Sequence, residues 1–297
     1  MGYSTYSSDA YRAFSDTAKT KSTGDLFSNR SMVTSLNPKG VTRECRISAN
    51  HPDPVAIIIN LDVTGSMGSI PAKLLKETMS KLIELLIKHG IKSPSICFTA
   101  VGDHISDEAP FQAGQFENGT DELIKCLSEI WIEGMGGGQN KESYLLAWDF
   151  AVNHTAIDRR KNGKKSYLFT IGDEGTWPSI DGSTRFNIFG KSTEGTTAKS
   201  LLVEANRNFE VFHIHINTTN YRDDLNVINP WKDLLGERVI MCNEPDNVAE
   251  MIAATVALHE GIGVDVLSSD VSYSTLTAVQ PLSNSLKPTE TGVITFS

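Results

Sequence analysis

A chain of 297 residues with 36 acidic and 27 basic side chains, a formal net charge of −9, lacks the basic face that a nucleic-acid partner demands. Its 39% hydrophobic and 21% charged residues suit a globular protein with a sizeable core, and no apolar run approaches the ~20 residues of a membrane span. Four scattered cysteines, Cys45, Cys97, Cys126 and Cys242, show no paired spacing and are expected as buried free thiols in a cytoplasmic compartment.

Residues 1–54 are rich in Ser and Thr, with Tyr3, Tyr6, Tyr11, Phe14 and Phe27 spaced among them, and are expected to form a partly irregular N-terminal arm. The opening "MGYSTY" misses a myristoylation signal because Tyr6 stands where Ser or Thr is needed. At 55–61, "VAIIINL" is an apolar run that predicts a strand buried on both faces. Residues 71–89 place Leu74, Leu75, Met79, Leu82, Ile83, Leu86 and Ile87 at helical spacing, with Pro71 suited to the first turn and Gly90 to the stop. Further strands are expected at 94–101, 166–171, 210–216 and 238–242, with a short one within 109–116. Helices are expected at 121–132, 142–153, 196–206, 231–235 and 245–260. Strands alternating with helices over 55–261 predict an α/β domain, doubly wound, with a mostly parallel sheet and helices on both faces. Residues 262–297 break the alternation; their period-2 patches without a strong core face point to a small β addition or a tail.

In an open α/β sheet, ligands bind beyond the carboxyl ends of the strands where strand order reverses. Two predicted strands run into an acid there, Asp62 and Asp173. Thr64 and Ser66 follow Asp62 at alternate positions in "NLDVTGSMGSIP", on a turn that Gly65 and Gly68 permit. Carboxylates joined by hydroxyls, without Cys or an evident His, make a hard donor set suited to Mg²⁺, Mn²⁺ or Ca²⁺.

The same residues resemble a von Willebrand factor A domain, whose metal-ion-dependent adhesion site is written D-x-S/T-x-S on the first strand–helix loop. "DVTGS" matches it, and the resemblance covers 55–261. "LDVTGSMG" is closest in style to stand-alone bacterial and phage members. The resemblance implies Thr64 and Ser66 as direct ligands, with Asp62 and Asp173 reaching the cation directly or through water. It implies a further ligand from the glycine-rich loop before a later helix, "GMGGGQNKESYLLAW", where Glu142 best occupies the place of the usual Thr and Asn140 is the alternative. The usual Thr-Asp-Gly has become Gly172-Asp173-Glu174. An added carboxylate at Glu142 would make the metal less electrophilic. The resemblance implies a metal-dependent interaction module without turnover, whose open coordination position takes a partner's acidic side chain. The resemblance implies, as for many prokaryotic relatives, a partner in a ring-forming ATPase or a larger assembly, and the expected location is the cytoplasm (a host cytoplasm or a virion if phage-encoded).

Competing readings stand beside these. Asp62, Thr64 and Ser66 could cap the following helix, and Glu142 could be a first-turn helix acid. Asp103 and His104 in "VGDH" lie on the same rim, either orienting the metal ligands from behind or simply forming a loop. His213 and His215 share one strand face and are expected as a hydrogen-bonded core pair before a metal pair. Trp177 opens a segment, 175–195, expected to overhang the site. A Mg²⁺-dependent phosphatase of haloacid dehalogenase type, with Asp62 as nucleophile, is the enzymatic alternative, although Thr64 stands where its second aspartate belongs. A structural or virion-associated assembly protein is the third.

Overall fold

Strands that are apolar on both faces can be satisfied only in the middle of a layered structure. The computed structural model describes residues 6–134, 140–191 and 194–285, apart from the side chains of 77–79, 284 and 285. Its central sheet has six strands: β1 (Val55–Asp62), β2 (Pro94–Val101), β3 (Phe111–Glu117), β4 (Ser166–Gly172), β5 (Phe209–Ile216) and β6 (Val239–Cys242). They lie in the order β6-β5-β4-β1-β2-β3, and all pairings are parallel except β2 with β3. Successive residues of β1 alternate between the layers, Ile57, Ile59 and Leu61 to one side, Ala56 and Ile58 to the other. Each such isoleucine, fully buried, contributes about 1.5–3 kcal/mol.

One face is covered by α1 (Ser8–Lys19), α2 (Met79–Lys88), α3 (Thr120–Glu129), α8 (Val248–His259) and α9 (Tyr273–Ser285). The other carries α4 (Leu145–Asn153), α5 (Gly182–Phe189), α6 (Ala198–Ala205) and α7 (Leu225–Leu235). The expected doubly wound α/β architecture is therefore present. Strand order reverses between β1 and β4, which are direct neighbours in register Asn60↔Thr170 and Leu61↔Ile171. That is the switch point, where a crevice opens beyond the strand ends.

Several elements differ from expectation, among them α5, which no sequence pattern forecast. Helix α4 begins at Leu145, because Lys141 and Glu142 are drawn into a short parallel pairing with Gly175 and Thr176. Glu142 is thus not a first-turn helix acid. Helix α7 starts at Leu225 and runs through Pro230, its first turn capped by the Asp224 side chain accepting from the Asn226 amide. Val264–Leu267 and Tyr273–Ser285 are helical, not a β addition, while 286–297 lie outside the described residues: Thr275, Val279 and Leu282 fall on one helical face and are buried. Residues 6–54 add Tyr11, Ala18, Leu26, Phe27 and Leu36 to the core, and 43–45 pair in parallel with 155–157.

The path from β1 into α2 is irregular: a helical turn at Ile70–Lys73, a π-helical turn at Leu74–Thr78, then α2. Such turns often accompany functional sites. Here Tyr11 of α1 donates its hydroxyl to the Leu75 carbonyl, and Ser15 donates to the Lys76 carbonyl at 2.6 Å. All four cysteines are buried free thiols. Among the described residues no helix is long and apolar enough to cross a membrane.

Candidate functional site

β1 delivers Asp62 to the crevice, and the turn behind it folds back over the carboxylate. The Thr64 amide and hydroxyl both donate to Asp62 Oδ1, at 2.9 and 2.5 Å. Thr64 Oγ1 lies 3.3 Å from Ser66 Oγ, which donates to Asp173 Oδ1 at 2.8 Å. A continuous chain of oxygens thus joins Asp62, Thr64, Ser66 and Asp173 across the two central strands. Gly68 closes the turn at φ +52°, a conformation that side-chain-bearing residues rarely adopt. None of these side chains caps the following helical turns, so the capping reading fails.

Asp62 and Asp173 are 0% exposed and Glu142 is 1% exposed. Glu174, also buried, lies beside Ser66, Tyr221 and Glu142. Four carboxyls therefore crowd one buried corner. Burial raises the Asp62 carboxyl to about 7, with the Asp173 charge adding to the shift. Burial raises Glu142 further, to about 10, helped by the charges of Asp62, Glu174 and Asp103. Asp173 and Glu174 are also raised, chiefly by burial. Glu142 Oε2 and Asp173 Oδ2 are buried without any hydrogen-bond partner. Asn140, by contrast, is exposed at φ +57°, and its side-chain oxygen accepts from the Tyr221 hydroxyl at 3.0 Å. The glycine-rich run 135–139 lies outside the described residues.

Sequence reasoning missed four neighbours: Tyr144, Glu174, Thr219 and Tyr221. Tyr144 donates to Asp62 Oδ2 at 2.5 Å, and Thr219 reaches Asp173. Gly172 makes the tyrosine's approach possible, since a Cβ there would sit 1.8 Å from the Tyr144 hydroxyl and 2.8 Å from Asp62 Oδ2. Glu174 was visible as the residue after Asp173; Thr219 and Tyr221 gave no local signal.

Asp103 is a buried hub, accepting from Trp177 Nε1 at 3.0 Å and from the Ile105 amide at 3.3 Å. His104 Nδ1 lies 2.7 Å from Ser143 Oγ, so this rim is tied to the segment that carries Glu142. Trp177 thereby fastens the start of 175–195 beside the site. His213 stacks on Trp231 at 3.8 Å and sits 3.0 Å from Thr170 Oγ1. Burial lowers both strand histidines, His215 to about 4, which keeps them neutral in the core. Among the described residues no group of three or more His, Cys, Asp or Glu side chains is arranged to hold a metal ion. A cation here would lean on the Thr64 and Ser66 hydroxyls as well as on carboxylates.

No family model matches the chain, and no curated protein matches it. Among solved structures, the pilus adhesin SpaC from Lactobacillus rhamnosus GG in its open conformation is similar over 74% of this chain and 31% of its own, at 10% identity and TM-score 0.46. A von Willebrand factor type A structure from Catenulispora acidiphila is similar over 70% of this chain and 43% of its own, at 13% identity and TM-score 0.40. An aerotolerance-related membrane protein from Bacteroides fragilis NCTC 9343 is similar over 67% of this chain and 97% of its own, at 14% identity and TM-score 0.39. The chain thus spans about a third of the adhesin it matches.

Proposed function

We propose that the corner beyond β1 and β4 holds a divalent cation, Mg²⁺ first with Mn²⁺ and Ca²⁺ as substitutes, and that the protein works as a metal-dependent interaction module. One observation carries this reading: two buried carboxylate oxygens, Glu142 Oε2 and Asp173 Oδ2, have no partner, beside hydroxyls already linked to Asp62 and Asp173. Buried charge is ordinarily paired or bound to metal, because leaving it unpaired is costly. The donor chemistry fits: oxygen only, carboxylate and hydroxyl mixed, as hard cations prefer.

Thr64 and Ser66 would supply neutral oxygens, Asp62 and Asp173 charge directly or through water, and Glu142 a further carboxylate. Tyr144 holds Asp62 in place from behind. When bound, the cation supplies an electrophilic position for a partner's oxygen. By resemblance the default partner group is an acidic side chain, on a ring-forming ATPase or a larger assembly in a host cytoplasm or virion. The phosphatase alternative needs Asp62 as a nucleophile, yet both its oxygens already accept hydrogen bonds, from Thr64 and Tyr144.

The test is a thermal melt with and without Mg²⁺. Wild type should gain several degrees at saturating ion through mass action on the folded state. Asp62→Ala should fold and show no gain. An equal Mg²⁺ response in Asp62→Ala and wild type would reject the site.

A further inference from the structure

The strand ends opposite the switch point carry a dense basic stretch, "RRKNGKK" at 159–165. Lysine and arginine in such a run are ordinarily exposed. Here the chain draws two of them inward. Asp158–Asn162 form a 3₁₀ turn, and Gly163 takes φ +70° on the way into β4. Arg160 packs over the Phe209 ring and donates to the Ala151 carbonyl at 3.2 Å and to Thr155 Oγ1 at 3.0 Å. Arg159 is only 3% exposed and lines a cavity of about 470 Å³. Lys164, Lys165, Tyr167 and Glu210 line it too, with Glu260, just past the end of α8, on one side.

The acids around this cavity are already met. Glu260 Oε1 accepts from Arg159 Nη2 and from the Tyr167 hydroxyl, the latter at 2.6 Å. Glu210 lies between two cations, Lys165 at 3.1 Å from Oε1 and Arg238 against Oε2. Lys164 reaches Asp53 at 2.7 Å, but both side chains are about half exposed, so water weakens that pair. Four cations thus meet three carboxylates, and Arg159 holds unmet donors. Among the described residues its Nε and Nη1 are buried without any hydrogen-bond partner. Buried charge ordinarily has its hydrogen-bonding groups satisfied, because leaving them bare is costly.

We propose that this cavity binds a small phosphorylated molecule by its phosphate, with Arg159 as the buried anchor and Lys164 and Lys165 beside it. Phosphate brings three strong acceptor oxygens and nearly two negative charges, which suits donors contributed by three side chains; a carboxylate brings only two oxygens. Arginine and lysine both recognise phosphate, one as a planar fork and the other as a point charge. The cavity exceeds what phosphate alone fills and lies within the ~300–1,000 Å³ of small-molecule sites, so the ligand carries an organic remainder. The inference is independent of the cation reading. Tyr167 lies near the start of β4 and Asp173 just beyond its far end, so the two sites occupy opposite ends of one strand.

The experiment is calorimetric titration of the full chain with glycerol 3-phosphate and with inorganic phosphate. Ionic strength is matched with sodium chloride, and a chelator keeps divalent cations out of the other site. Wild type should bind one glycerol 3-phosphate per chain, more tightly than inorganic phosphate. Arg159→Lys keeps a charge opposite Glu260 but withdraws the spare N–H groups, and should weaken binding at least tenfold, with a melt confirming the fold. Lys164→Gln and Lys165→Gln, which leave Arg159 and Glu260 untouched, should each weaken it at least threefold. Lys125→Gln, an exposed change on α3, should leave it unchanged. A wild type that binds neither phosphate overturns the proposal. So does binding that survives undiminished in both Lys164→Gln and Lys165→Gln, since the phosphate is then held elsewhere.

Discussion

Asp149 on α4 and Asp62 at the end of β1 are both wholly buried, and their surroundings treat them in opposite ways. Asp149 receives both arms of Arg185, Nε to Oδ2 at 2.7 Å and Nη2 to Oδ1 at 2.8 Å, with Asn153 donating to Oδ1 at 2.7 Å. Every oxygen is served and the charge is cancelled within the fold. Around Asp62 the neighbours are acids, the donors are hydroxyls and one amide, and two carboxylate oxygens close by are left over. A fold that can bury an acid with its own guanidinium in one layer has not done so at the switch point. The difference separates an acid paired within the fold from acids that, among the described residues, have no cationic partner.

Breaking the structural pair should have the largest effect. Arg185→Met strands Asp149 without its cation, and a broken buried pair costs about 3–5 kcal/mol, readable as a lowered denaturation midpoint at unchanged m-value. Metal response should survive in that variant, since Arg185 touches none of the crevice carboxylates.

Gly172→Ala sharpens the other side of the comparison. The new Cβ collides with the Tyr144 hydroxyl and Asp62, so Tyr144 must withdraw, and overpacking of this kind costs about 1–3 kcal/mol. Unlike Arg185→Met, it should also weaken Mg²⁺ binding, measurable by calorimetry. A Gly172→Ala protein with wild-type stability would show that Tyr144 yields freely.

The pH dependence is the gentlest probe. Asp62 is raised to about 7 and Glu142 to about 10, so the folded state binds protons more tightly than the unfolded chain. Their protonation supports the metal-free fold fully below the ordinary carboxylate range, near pH ~4, and that support is lost as pH rises toward 7 and then 10. Metal-free stability should therefore fall with rising pH by at most about 1.4 kcal/mol per unit for each acid within its window. Saturating Mg²⁺ should flatten that decline, because bound cation replaces the protons. Melts from pH 5 to 9, with ion and with chelator, check both.

The architecture was largely legible because its strands are short continuous apolar runs bounded by glycine and polar turns. Asp62, Thr64 and Ser66 were legible because they are close in sequence and their alternate spacing is itself the geometry. Asp173 could be read from its place at a strand end. Glu142 was expected at the start of a helix but lies in a short strand, since the pairing that extends it comes from Gly175–Thr176, more than thirty residues on. Tyr144 escaped because its reach depends on the missing side chain at Gly172, a complementarity that only three dimensions display. Helix α9 escaped because Ser, Thr and Pro281 mask the buried spacing of Thr275, Val279 and Leu282.

The π-helical turn at Leu74–Thr78 carries a practical lesson for anyone trimming this chain. Its Leu75 and Lys76 carbonyls are served by Tyr11 and Ser15, residues far upstream of the first sheet strand. A truncation beginning near residue 54 would preserve every strand of the sheet yet leave those acceptors bare, at the root of the helix that leads away from Asp62. Boundaries drawn around the sheet alone would cut off the clasp that fastens that helix.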